Sequence, residues 1–295
     1  MASPNFLIVG AEKCGTTWLA DMLRQHPRAF IPAEKEVHYF NRKFSDFPEI
    51  KNFNFDKPLN WYLKFFAAAQ ESQIIGEACP AYLWDDSAAA RIQAFNPALK
   101  ILILLRNPAE RTFSAYRFWM QRGIYWRIPF RAALEGHREL LLKRSLYFAQ
   151  VKRYLDLFPR EQIRVWITDS ADSNMTDVLT QAEDFLALTR LVPASASQRA
   201  NVTAEARNLT LNWLTARVRR AIRGQRLFVP LLDALRELNL AQKLEGWRVQ
   251  NKIKSSAPTT ITMMTADERS WIQSLLKDDI AQLENLLGIN LDHWQ

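Results

Sequence analysis

The amino-acid sequence predicts an α/β protein, with a central parallel sheet flanked by helices. Short apolar runs alternate along the chain with longer stretches of helical period, which indicates right-handed βαβ crossovers. Two of these runs, at 5–9 and 100–105, are almost continuously apolar, as expected of strands covered on both faces. The 295 residues suffice for one large α/β domain, so we expect a single domain over 1–295, with a separate second domain as the alternative.

The predicted elements follow one another without an internal repeat or a low-complexity segment. The other two strand candidates are weaker, since one is short and the other alternates between apolar and polar residues. Strands are expected at 5–9, 73–76, 100–105 and 162–168, and helices at 17–25, 61–69, 88–95, 109–122, 146–157 and 175–186.

The pattern changes after Leu186. Residues 208–244 have helical period and many basic side chains, whereas 249–262 is polar and typical of a loop. We therefore expect a helical insertion at 203–250 within the domain. A final helix should begin at Ala266, because apolar residues recur after it at helical spacing: Trp271, Leu275, Ile280, Leu283 and Leu287.

The composition favours an anionic partner without identifying it. The formal net charge is +8, from 39 Lys and Arg against 31 Asp and Glu. Such an excess attracts a nucleotide, a nucleic acid, a lipid headgroup or an acidic sugar alike, and a basic surface kept for solubility is an equal alternative. Cys14 and Cys79 do not make a disulfide framework, and the four histidines are scattered, so we predict no metal site.

The start of the chain lacks the features of a signal peptide. Its apolar run ends at Glu12 and Lys13, and no basic segment or small-residue cleavage site accompanies it. No apolar stretch approaches the ~20 residues needed to span a bilayer. These observations predict a cytoplasmic protein.

The most informative motif is residues 10–19, which directly follow the first strand and open a helix. In this context, backbone N–H groups and a helix N-terminus cradle a phosphate. Gly10 and Gly15 allow a tight turn and a close approach of the backbone to the ligand. Thr16 and Thr17 can cap the helix and donate hydroxyls to the same anion.

The lysine of this loop is displaced from its position in nucleoside triphosphatases. Their P-loop places Lys directly after the second glycine, where this chain has Thr16, and its own lysine is Lys13 inside the loop. This lysine would approach the ligand near the bond between the 5′-phosphate and the group that it carries. The displacement argues against a clamp for β- and γ-phosphates. The alternative is a Thr-capped helix start with an incidental lysine.

A second anion site is predicted where the strand at 100–105 ends. Arg106 lies at the carboxyl end of a parallel strand, where open α/β sheets bind ligands. Pro108 suits the first turn of a helix, and Ser114 follows about two turns later. A guanidinium and a hydroxyl together suit a second phosphate. Taken alone, Arg106 would more often be a surface residue in a salt bridge.

These motifs resemble the PAPS-dependent sulfotransferases (PAPS is 3′-phosphoadenylyl sulfate), particularly the heparan-sulfate-type branch and its soluble bacterial relatives. Residues 13–17 (KCGTT) are similar to the 5′-phosphosulfate loop, and residues 105–114 to the 3′-phosphate site. Residues 34–40 (EKEVHYF) resemble the segment that carries the catalytic base in glycan sulfotransferases. Weaker similarities lie at 77–82, 144–158 and 286–288.

The resemblance implies a P-loop-like sulfotransferase fold that transfers a sulfuryl group from PAPS to an acceptor hydroxyl or amine and releases PAP, without a metal. The acceptor would be a carbohydrate, a glycolipid or a small molecule. Lys13 would also stabilise the bridging oxygen as the S–O bond breaks. The implied site residues are Lys13, Cys14, Gly15, Thr16, Thr17 and Trp18 for the 5′-phosphosulfate, Arg106 and Ser114 for the 3′-phosphate, Glu36 as general base and His38 as its assistant.

Two aspects of the implied site depend on conformation. If residues 36–38 are extended, alternation places Glu36 and His38 on one face. The alternative is a salt bridge for Glu36 and core packing for His38. Trp18 is the best candidate for stacking on the base, although in the first turn of a helix it can equally serve packing.

Two segments depart from the family pattern. Heparan-type enzymes often carry a lysine where this chain has Ala78, which weakens the case for a polyanionic acceptor. The late loop that covers the nucleotide in the family is not evident. Its candidates are Asn251, Lys252 and Lys254.

A basic amphipathic stretch at 211–226 offers a further option. Such a helix can lie on an anionic membrane or grip an acidic substrate. We expect instead an ordinary surface helix with its apolar stripe packed inward. Nucleic-acid binding is not expected, since no recognised motif supports it. The stripe consists of Leu211, Leu214, Val218 and Ile222, and the arginines are Arg217, Arg219, Arg220, Arg223 and Arg226.

Two other functions compete with sulfuryl transfer. A P-loop kinase or NTPase would bind Mg-ATP and needs an acidic metal ligand at a strand end, where Arg106 stands instead. A nucleotide-binding module without catalysis would bind PAP and sulfate no acceptor.

Overall fold

A computed structural model of the chain describes most of residues 2–191 and, beyond them, a helix, a short strand pair and the closing helix. The described residues are 2–34, 36–44, 49–125, 127–169, 175–191, 193, 205–206, 209–223, 225, 230, 252–253 and 263–294.

The core of the fold is a five-stranded parallel sheet, which confirms the predicted α/β class. The order of the strands is β2-β3-β1-β4-β5, and every neighbouring pair is parallel. All residues of β1 and most of β4 are buried, as their apolar runs predict. The strands are β1 (Phe6–Gly10), β2 (Ala29–Phe30), β3 (Ile74–Ala78), β4 (Lys100–Leu105) and β5 (Ile163–Ile167).

Helices connect the strands and cover both faces of the sheet, as crossover connections require. Five of the six predicted helices agree with the structure to within two residues at each end, and one of the five, at 88–95, agrees in both bounds. The helices are α1 (Thr16–Arg24), α2 (Leu59–Leu63), α3 (Ala81–Trp84), α4 (Ala88–Phe95), α5 (Pro108–Gln121), α6 (Phe130–Gly136), α7 (Tyr147–Leu155), α8 (Met175–Phe185), α9 (Leu209–Arg223) and α10 (Ala266–Leu287).

The strand order places a topological switch point at the centre of the sheet. The chain leaves β1 towards β3 on one side and later crosses to β4 on the other, so that the loops after β1 and β4 diverge. Open α/β sheets bind ligands at this place, outside the carboxyl ends of the strands. The two predicted anion sites follow β1 and β4 and therefore lie at the switch point.

Three short elements were missed by the sequence analysis. β2 has two residues and α3 has four, lengths at which hydrophobic period carries little information. α6 has seven residues and follows Pro129. The helix predicted at 61–69 is wrong in part, because α2 ends at Leu63 and a 3-10 turn, Lys64–Phe66, continues it.

The predicted final helix is confirmed, and its buried face includes two of the five apolar residues that located it. α10 begins with a capping box between Thr265 and Glu268. It ends at Gly288, whose φ of 66° suits glycine. Trp271 and Leu275 are only partly buried. The residues that pack inward are Ile272, Leu276, Ile280 and Leu283.

α9 lies in the predicted insertion, and its expected packing is wrong. Leu214 and Val218 of the apolar stripe are 53% and 51% exposed. The helix meets the domain through other residues: Asn212 Nδ2 donates to the carbonyl oxygen of Gln121, and Arg220 pairs with Glu49 at 2.8 Å. The side chains of Leu211, Arg219 and Arg223, and the whole of Arg226, lie outside the description.

Two short antiparallel strands lie before and after α9 in the sequence and pair with each other. β6 (Glu205–Ala206) pairs with β7 (Lys252–Ile253), in a stretch that the sequence analysis assigned to a loop. The expectation of a loop is therefore wrong at residues 252–253. The ribbon brings the two ends of the predicted insertion together, whereas the domain boundaries stay a prediction. Within the described ranges, no helix combines the length and the apolar character that crossing a membrane requires.

Candidate active site

The loop between β1 and α1 forms an uncapped helix N-terminus. Lys13 has φ of 69° and Gly15 has φ of 93°, so the chain turns sharply before α1 begins at Thr16. Gly15 occupies the N-cap position, and no side chain caps the helix. The expected capping by Thr16 and Thr17 is therefore wrong, because both residues already belong to the helix. An uncapped N-terminus presents N–H groups and the positive end of the helix dipole to an anion.

The two glycines of the loop serve different purposes. Gly15 needs glycine because of its positive φ. Gly10 lies at the end of β1, and a Cβ there would come 2.4 Å from the Cβ of Leu83 on α3. Gly10 is therefore required by the packing of α3 against β1, a role that the sequence analysis assigned to ligand approach.

Glu12 ties the loop to the body of the domain, and sequence reasoning missed it. Its carboxylate accepts hydrogen bonds from Arg111 at 3.1 Å and from Arg144 at 2.9 Å. The side chains of these arginines are 0% and 2% exposed. Trp84 Nε1 on α3 donates to the same carboxylate at 3.1 Å. Two buried guanidiniums against one carboxylate leave an excess of positive charge beneath the loop.

Cys14 connects this loop with the second predicted anion site. The thiol donates to the carbonyl oxygen of Glu12 at 3.6 Å and lies 3.6 Å from the hydroxyl of Tyr147. Burial raises the pKa of the Cys14 thiol, while the Tyr147 hydroxyl and the Arg106 cation oppose that shift. The Thr168 hydroxyl donates to the carbonyl oxygens of Cys14 and Leu105, at 3.1 and 3.0 Å. Loop and strand ends thus form one hydrogen-bonded unit.

Lys13 reaches across to α5. Its Nζ lies over the ring of Phe118, 4.1 Å from the centroid. Phe118 and Ser114 are one helical turn apart and share a face of α5, so Lys13 and Ser114 border the same space. Trp18 is only 5% exposed and packs in the core, which leaves little of its ring for stacking on a base.

Arg106 stands at the carboxyl end of β4 with an unused donor. Its Nε is buried and has no hydrogen-bond partner among the described residues. The other end of the guanidinium lies 3.9 Å from Glu110, beyond hydrogen-bond distance. A buried N–H of a cation without a partner is costly, and an anionic ligand would satisfy it. This geometry supports the predicted anion site at Arg106 over a purely structural salt bridge.

The acidic residue at the end of the neighbouring strand, Asp169, is engaged in structural contacts. It follows β5 and accepts a hydrogen bond of 2.6 Å from the backbone N–H of Asn107. His293 and Trp294 of the closing 3-10 turn contact its other carboxylate oxygen. A kinase would need such a strand-end acid as a metal ligand. The contacts of Asp169 instead fix the start of α5.

The Glu36–His38 segment is not extended, yet its two functional side chains meet. Glu36 and His38 have φ of 59° and 58°, in the left-handed region, so the condition for the argument from alternation is not met. The carboxylate of Glu36 lies 3.7 Å from Nε2 of His38, and Val37 between them is fully buried. Each left-handed residue costs about 1–3 kcal/mol and persists only where the surrounding structure imposes it. Residues of this kind occur most often at functional sites.

Three asparagines impose this conformation. His38 Nδ1 lies 3.2 Å from Oδ1 of Asn41. Asn52 Nδ2 donates to the carbonyl oxygen of His38 at 2.6 Å, and Asn54 Nδ2 donates to that of Val37 at 2.8 Å. The backbone carbonyls of the segment are thus held by buried amides from a later part of the chain, a relation that spacing in the sequence does not show.

Glu77, at the end of β3, supports the same segment from the other side. It is 1% exposed and accepts hydrogen bonds from the hydroxyls of Tyr62 and Tyr82 and from the backbone N–H of Val37. Burial raises the pKa of Glu77 to about 7, the three donors oppose that shift, and the nearby Glu36 carboxylate adds to it. The sequence analysis included this position only in the weaker similarity at 77–82 and in the absence of a lysine at Ala78.

α3 joins the two halves of the candidate site. Its Trp84 donates to Glu12 in the loop after β1, and its Tyr82 contacts Glu77 beside the Glu36 segment. Lys252 of the predicted late loop lies in β7, and Asn251 and Lys254 lie outside the described residues. Within the part of the chain that the structure describes, His, Cys, Asp and Glu side chains form no group of three that could hold a metal ion.

Comparison with known sequences identifies relatives for this arrangement. Membrane-associated sulfotransferase kil1 of Dictyostelium discoideum is 33% identical over 126 residues, which cover 41% of this chain and 24% of that protein. Heparan sulfate glucosamine 3-O-sulfotransferase 5 of Homo sapiens is 29% identical over 195 residues, which cover 63% and 54%. Carbohydrate sulfotransferase 15 of Rattus norvegicus is 32% identical over 152 residues, which cover 39% and 27%. The chain thus spans about a quarter to a half of the length of these relatives.

Comparison with solved structures finds the same fold over the full chain. The crystal structure of a sulfotransferase from Alicyclobacillus acidocaldarius has a TM-score of 0.68 and 27% sequence identity, and the match covers 100% of this chain and 99% of that one. The sequence model of the sulfotransferase domain matches residues 3–191, which is more than half of the chain. The resemblance seen in the loop motifs is confirmed, and the chain belongs to the sulfotransferase family.

Proposed function

We propose that the protein transfers the sulfuryl group of PAPS to a hydroxyl or amine of a carbohydrate or glycolipid acceptor and releases PAP. The observation that carries this proposal is the hydrogen-bonded link between the two anion sites. The Thr168 hydroxyl donates to the carbonyl oxygen of Cys14, in the loop after β1, and to that of Leu105. Leu105 directly precedes Arg106, whose buried Nε has no partner among the described residues. A nucleotide with phosphates at both its 5′ and 3′ positions would use both sites together.

Each group on the donor side has one role in this proposal. The uncapped N-terminus of α1, at Gly15, Thr16 and Thr17, would hold the 5′-phosphate. Arg106 and Ser114 would hold the 3′-phosphate, which distinguishes PAPS from ATP. The positive charge of the buried pair Arg111 and Arg144 would add to the attraction, although Glu12 offsets part of it.

The transfer itself would be an in-line displacement at sulfur. The acceptor oxygen or nitrogen attacks the sulfur, a new S–O or S–N bond forms, and the bond from sulfur to the bridging oxygen breaks. Lys13 stabilises the charge that develops on the bridging oxygen. Glu36 takes the proton that the acceptor loses, a contribution of typically ~10²–10⁴ in rate. His38, 3.7 Å from Glu36, orients that carboxylate.

Two observations support a carbohydrate acceptor. Two of the relatives above are named for sulfation of heparan sulfate and of carbohydrate. An open cavity of about 480 Å³ lies on the acceptor side, where Asn52 binds the carbonyl oxygen of His38. Three of its lining side chains are cations, which would attract an acidic sugar. The cavity is lined by Arg42, Lys43, Glu49, Ile50, Lys51 and Phe55.

The proposal also includes a cytoplasmic location and a reaction that needs no metal ion.

Thermal shift with PAP, ADP and ATP, each with and without Mg²⁺, tests the proposed donor. A ligand at 100 times its Kd stabilises the folded state by about 2.7 kcal/mol, which moves the midpoint by a few degrees. We expect a shift with PAP that does not depend on Mg²⁺. A shift with Mg-ATP and none with PAP would instead establish a kinase or NTPase. Transfer of ³⁵S from labelled PAPS to heparan sulfate oligosaccharides then tests the acceptor, and PAP binding without transfer to any acceptor would indicate a binding module.

A further inference from the structure

The strained segment that carries Glu36 and His38 has an anchor that the proposed mechanism does not use. That anchor is the buried carboxylate of Glu77, the penultimate residue of β3. The sequence placed no function on it, and none of its contacts is with a predicted ligand site. Its partners are two tyrosine hydroxyls and one backbone amide, at 2.7 to 3.2 Å.

The contacts of Glu77 reach two peptide groups of the segment, the one between Glu36 and Val37 and the one between His38 and Tyr39. Oε1 accepts the backbone N–H of Val37 at 3.2 Å, directly after Glu36. The Tyr82 hydroxyl donates to Oε1 at 2.9 Å and itself accepts the backbone N–H of Tyr39 at 3.1 Å. Glu77 therefore holds the N–H of Val37 directly and the N–H of Tyr39 through the Tyr82 hydroxyl. Both left-handed residues, Glu36 and His38, lie between or beside these fixed amides.

The contacts require Glu77 to act as an acceptor. All three groups that face its carboxylate can donate a hydrogen bond, and an apolar side chain in its place would leave the N–H of Val37 buried without a partner. Tyr62 fixes the carboxylate in turn, with its hydroxyl 2.7 Å from Oε2. The ring of Tyr62 stacks on Tyr39 at a centroid distance of 4.5 Å, so the same residue also packs against the segment.

We propose that Glu77 is the positioning residue of the catalytic-base segment: through Val37 and Tyr82 it holds Glu36 and His38 in the conformation that aims them at the acceptor. The inference rests on the proposed function, since it gives Glu36 the role of base. Glu77 itself contacts neither donor nor acceptor, so its loss should affect turnover and leave nucleotide binding unchanged.

Three variants test this assignment. Glu77→Leu keeps a similar volume and removes both acceptor oxygens, whereas Glu77→Gln keeps one oxygen for the N–H of Val37. Glu183→Leu is the matched control, because Glu183 is also 1% exposed and also accepts a backbone N–H, that of Leu191 after α8. The measurements are the Kd of PAP, the rate of PAP release from PAPS with water or heparan sulfate oligosaccharides as acceptor, and hydrogen exchange of the amides of Val37 and Tyr39.

We expect Glu77→Leu to bind PAP within twofold of the wild type, to release PAP at least tenfold more slowly and to lose exchange protection at Val37 and Tyr39. Glu77→Gln should recover most of the rate and of the protection at Val37. Glu183→Leu should lower stability without these effects. Unchanged exchange at both amides, or an equal loss of rate in Glu183→Leu, would overturn the proposal.

Two further outcomes are distinguishable. If the wild type binds PAPS and never releases PAP, the proposed function fails, and exchange at Val37 and Tyr39 alone decides whether Glu77 positions the segment. If Glu77→Leu does not fold, Tyr82→Phe takes its place, because it removes only the hydroxyl that links Tyr39 to Glu77. Tyr82→Phe should release PAP more slowly with unchanged PAP affinity, and a wild-type rate would overturn the proposal.

Discussion

The donor side of the site and its acceptor side are built in different ways. The donor side, Lys13–Trp18 with Arg106 and Ser114, uses strand ends and a helix N-terminus, elements that every parallel α/β sheet supplies. The acceptor side, Glu36–His38, has no regular structure, and its backbone is held by side chains of Asn52, Asn54 and Glu77. The donor side therefore depends on topology, and the acceptor side depends on individual buried polar residues.

This difference teaches where substitutions should act. Under the proposed function, a change on the donor side should alter the affinity for the nucleotide, because its groups would contact phosphates. A change on the acceptor side should alter the rate, because its groups would orient a base. The four predictions below separate these two effects, and each is able to contradict the division.

The largest effect is expected on the acceptor side. Glu36→Gln removes the proposed base and should lower turnover by about 10²- to 10⁴-fold, with PAP affinity nearly unchanged. Steady-state kinetics and calorimetric titration of PAP measure the two quantities. Glu34→Gln, two residues earlier, is the control and should retain most of the activity. A loss of PAP affinity as large as the loss of turnover in Glu36→Gln would show that Glu36 is not the base. It would also contradict the division between a side that sets affinity and a side that sets the rate.

Glu12 tests the donor side through its buried charges. Glu12→Gln leaves the guanidiniums of Arg111 and Arg144 without their anion, and breaking such a buried pair costs about 3–5 kcal/mol in free energy of unfolding. Denaturant titration measures this loss, and PAP affinity should fall with it because the loop loses its anchor. The control is Asp156→Asn, whose exposed pair with Lys152 is worth about 0–1 kcal/mol. Similar stability of both variants would contradict the role of Glu12.

Arg106 provides the affinity test for one phosphate. A hydrogen bond to a charged group is worth about 1.5–3 kcal/mol, so Arg106→Ala should weaken PAP binding by about 10- to 150-fold. Binding of ADP, which lacks the 3′-phosphate, should change much less. Arg164→Ala is the control, since Arg164 is an exposed cation near the start of β5. Equal weakening of PAP and ADP would place Arg106 elsewhere than at the 3′-phosphate.

The smallest effect concerns the helix that supports the donor loop. Asp279 on α10 accepts the backbone N–H groups of Tyr147 and Phe148 and thereby caps α7, whose Tyr147 contacts Cys14. Burial raises the pKa of Asp279 from 3.8 to about 6, and the two backbone hydrogen bonds oppose that shift. The folded state therefore holds this proton more tightly than the unfolded state.

The sign of the pH effect follows from linkage. The stability that the Asp279 proton contributes is fully present below the unfolded pKa and is lost as the pH rises through the folded pKa. Asp279→Asn does not titrate, so from pH 4 to pH 7 its free energy of unfolding should gain about 1–2 kcal/mol relative to the wild type. Denaturant titrations at both pH values measure this, with Asp278→Asn as the exposed control. If the free energy of unfolding of the wild type instead rose relative to that of the variant from pH 4 to pH 7, the two backbone hydrogen bonds to Asp279 would outweigh the effect of its burial.

The sequence predicted the donor side because its signals are local. The apolar strands, the glycines and Lys13 lie within a few residues of one another, and parallel topology then brings Arg106 to the same edge. The acceptor side depends on contacts across the chain, such as Asn54 with Val37 and Glu77 with Tyr62, and no periodicity marks them. The left-handed conformation of Glu36 and His38 could not be predicted for this reason.

The packing errors have a similar origin. Helical spacing located α10 but only part of its buried face, because Trp271 and Ile272 are both apolar and the positions of α5 and α7 decide between them. The stripe of α9 satisfied the pattern of a packed helix, yet Leu214 and Val218 are about half exposed. A pattern shows that a face can be buried, and only the neighbouring elements decide whether it is.

The packing of Gly10 against Leu83 bears on how relatives should be recognised in genomes. Since a side chain at position 10 would collide with α3, a descendant that has lost its chemistry still has to keep this glycine in order to fold. Its presence in a distant homologue therefore records common ancestry and says little about catalysis. Packing does not require Lys13 or the Nε of Arg106 in the way that it requires Gly10, so inactive paralogues should lose Lys13 and Arg106 first. Searches for active members should weight these two cations above the more visible glycine.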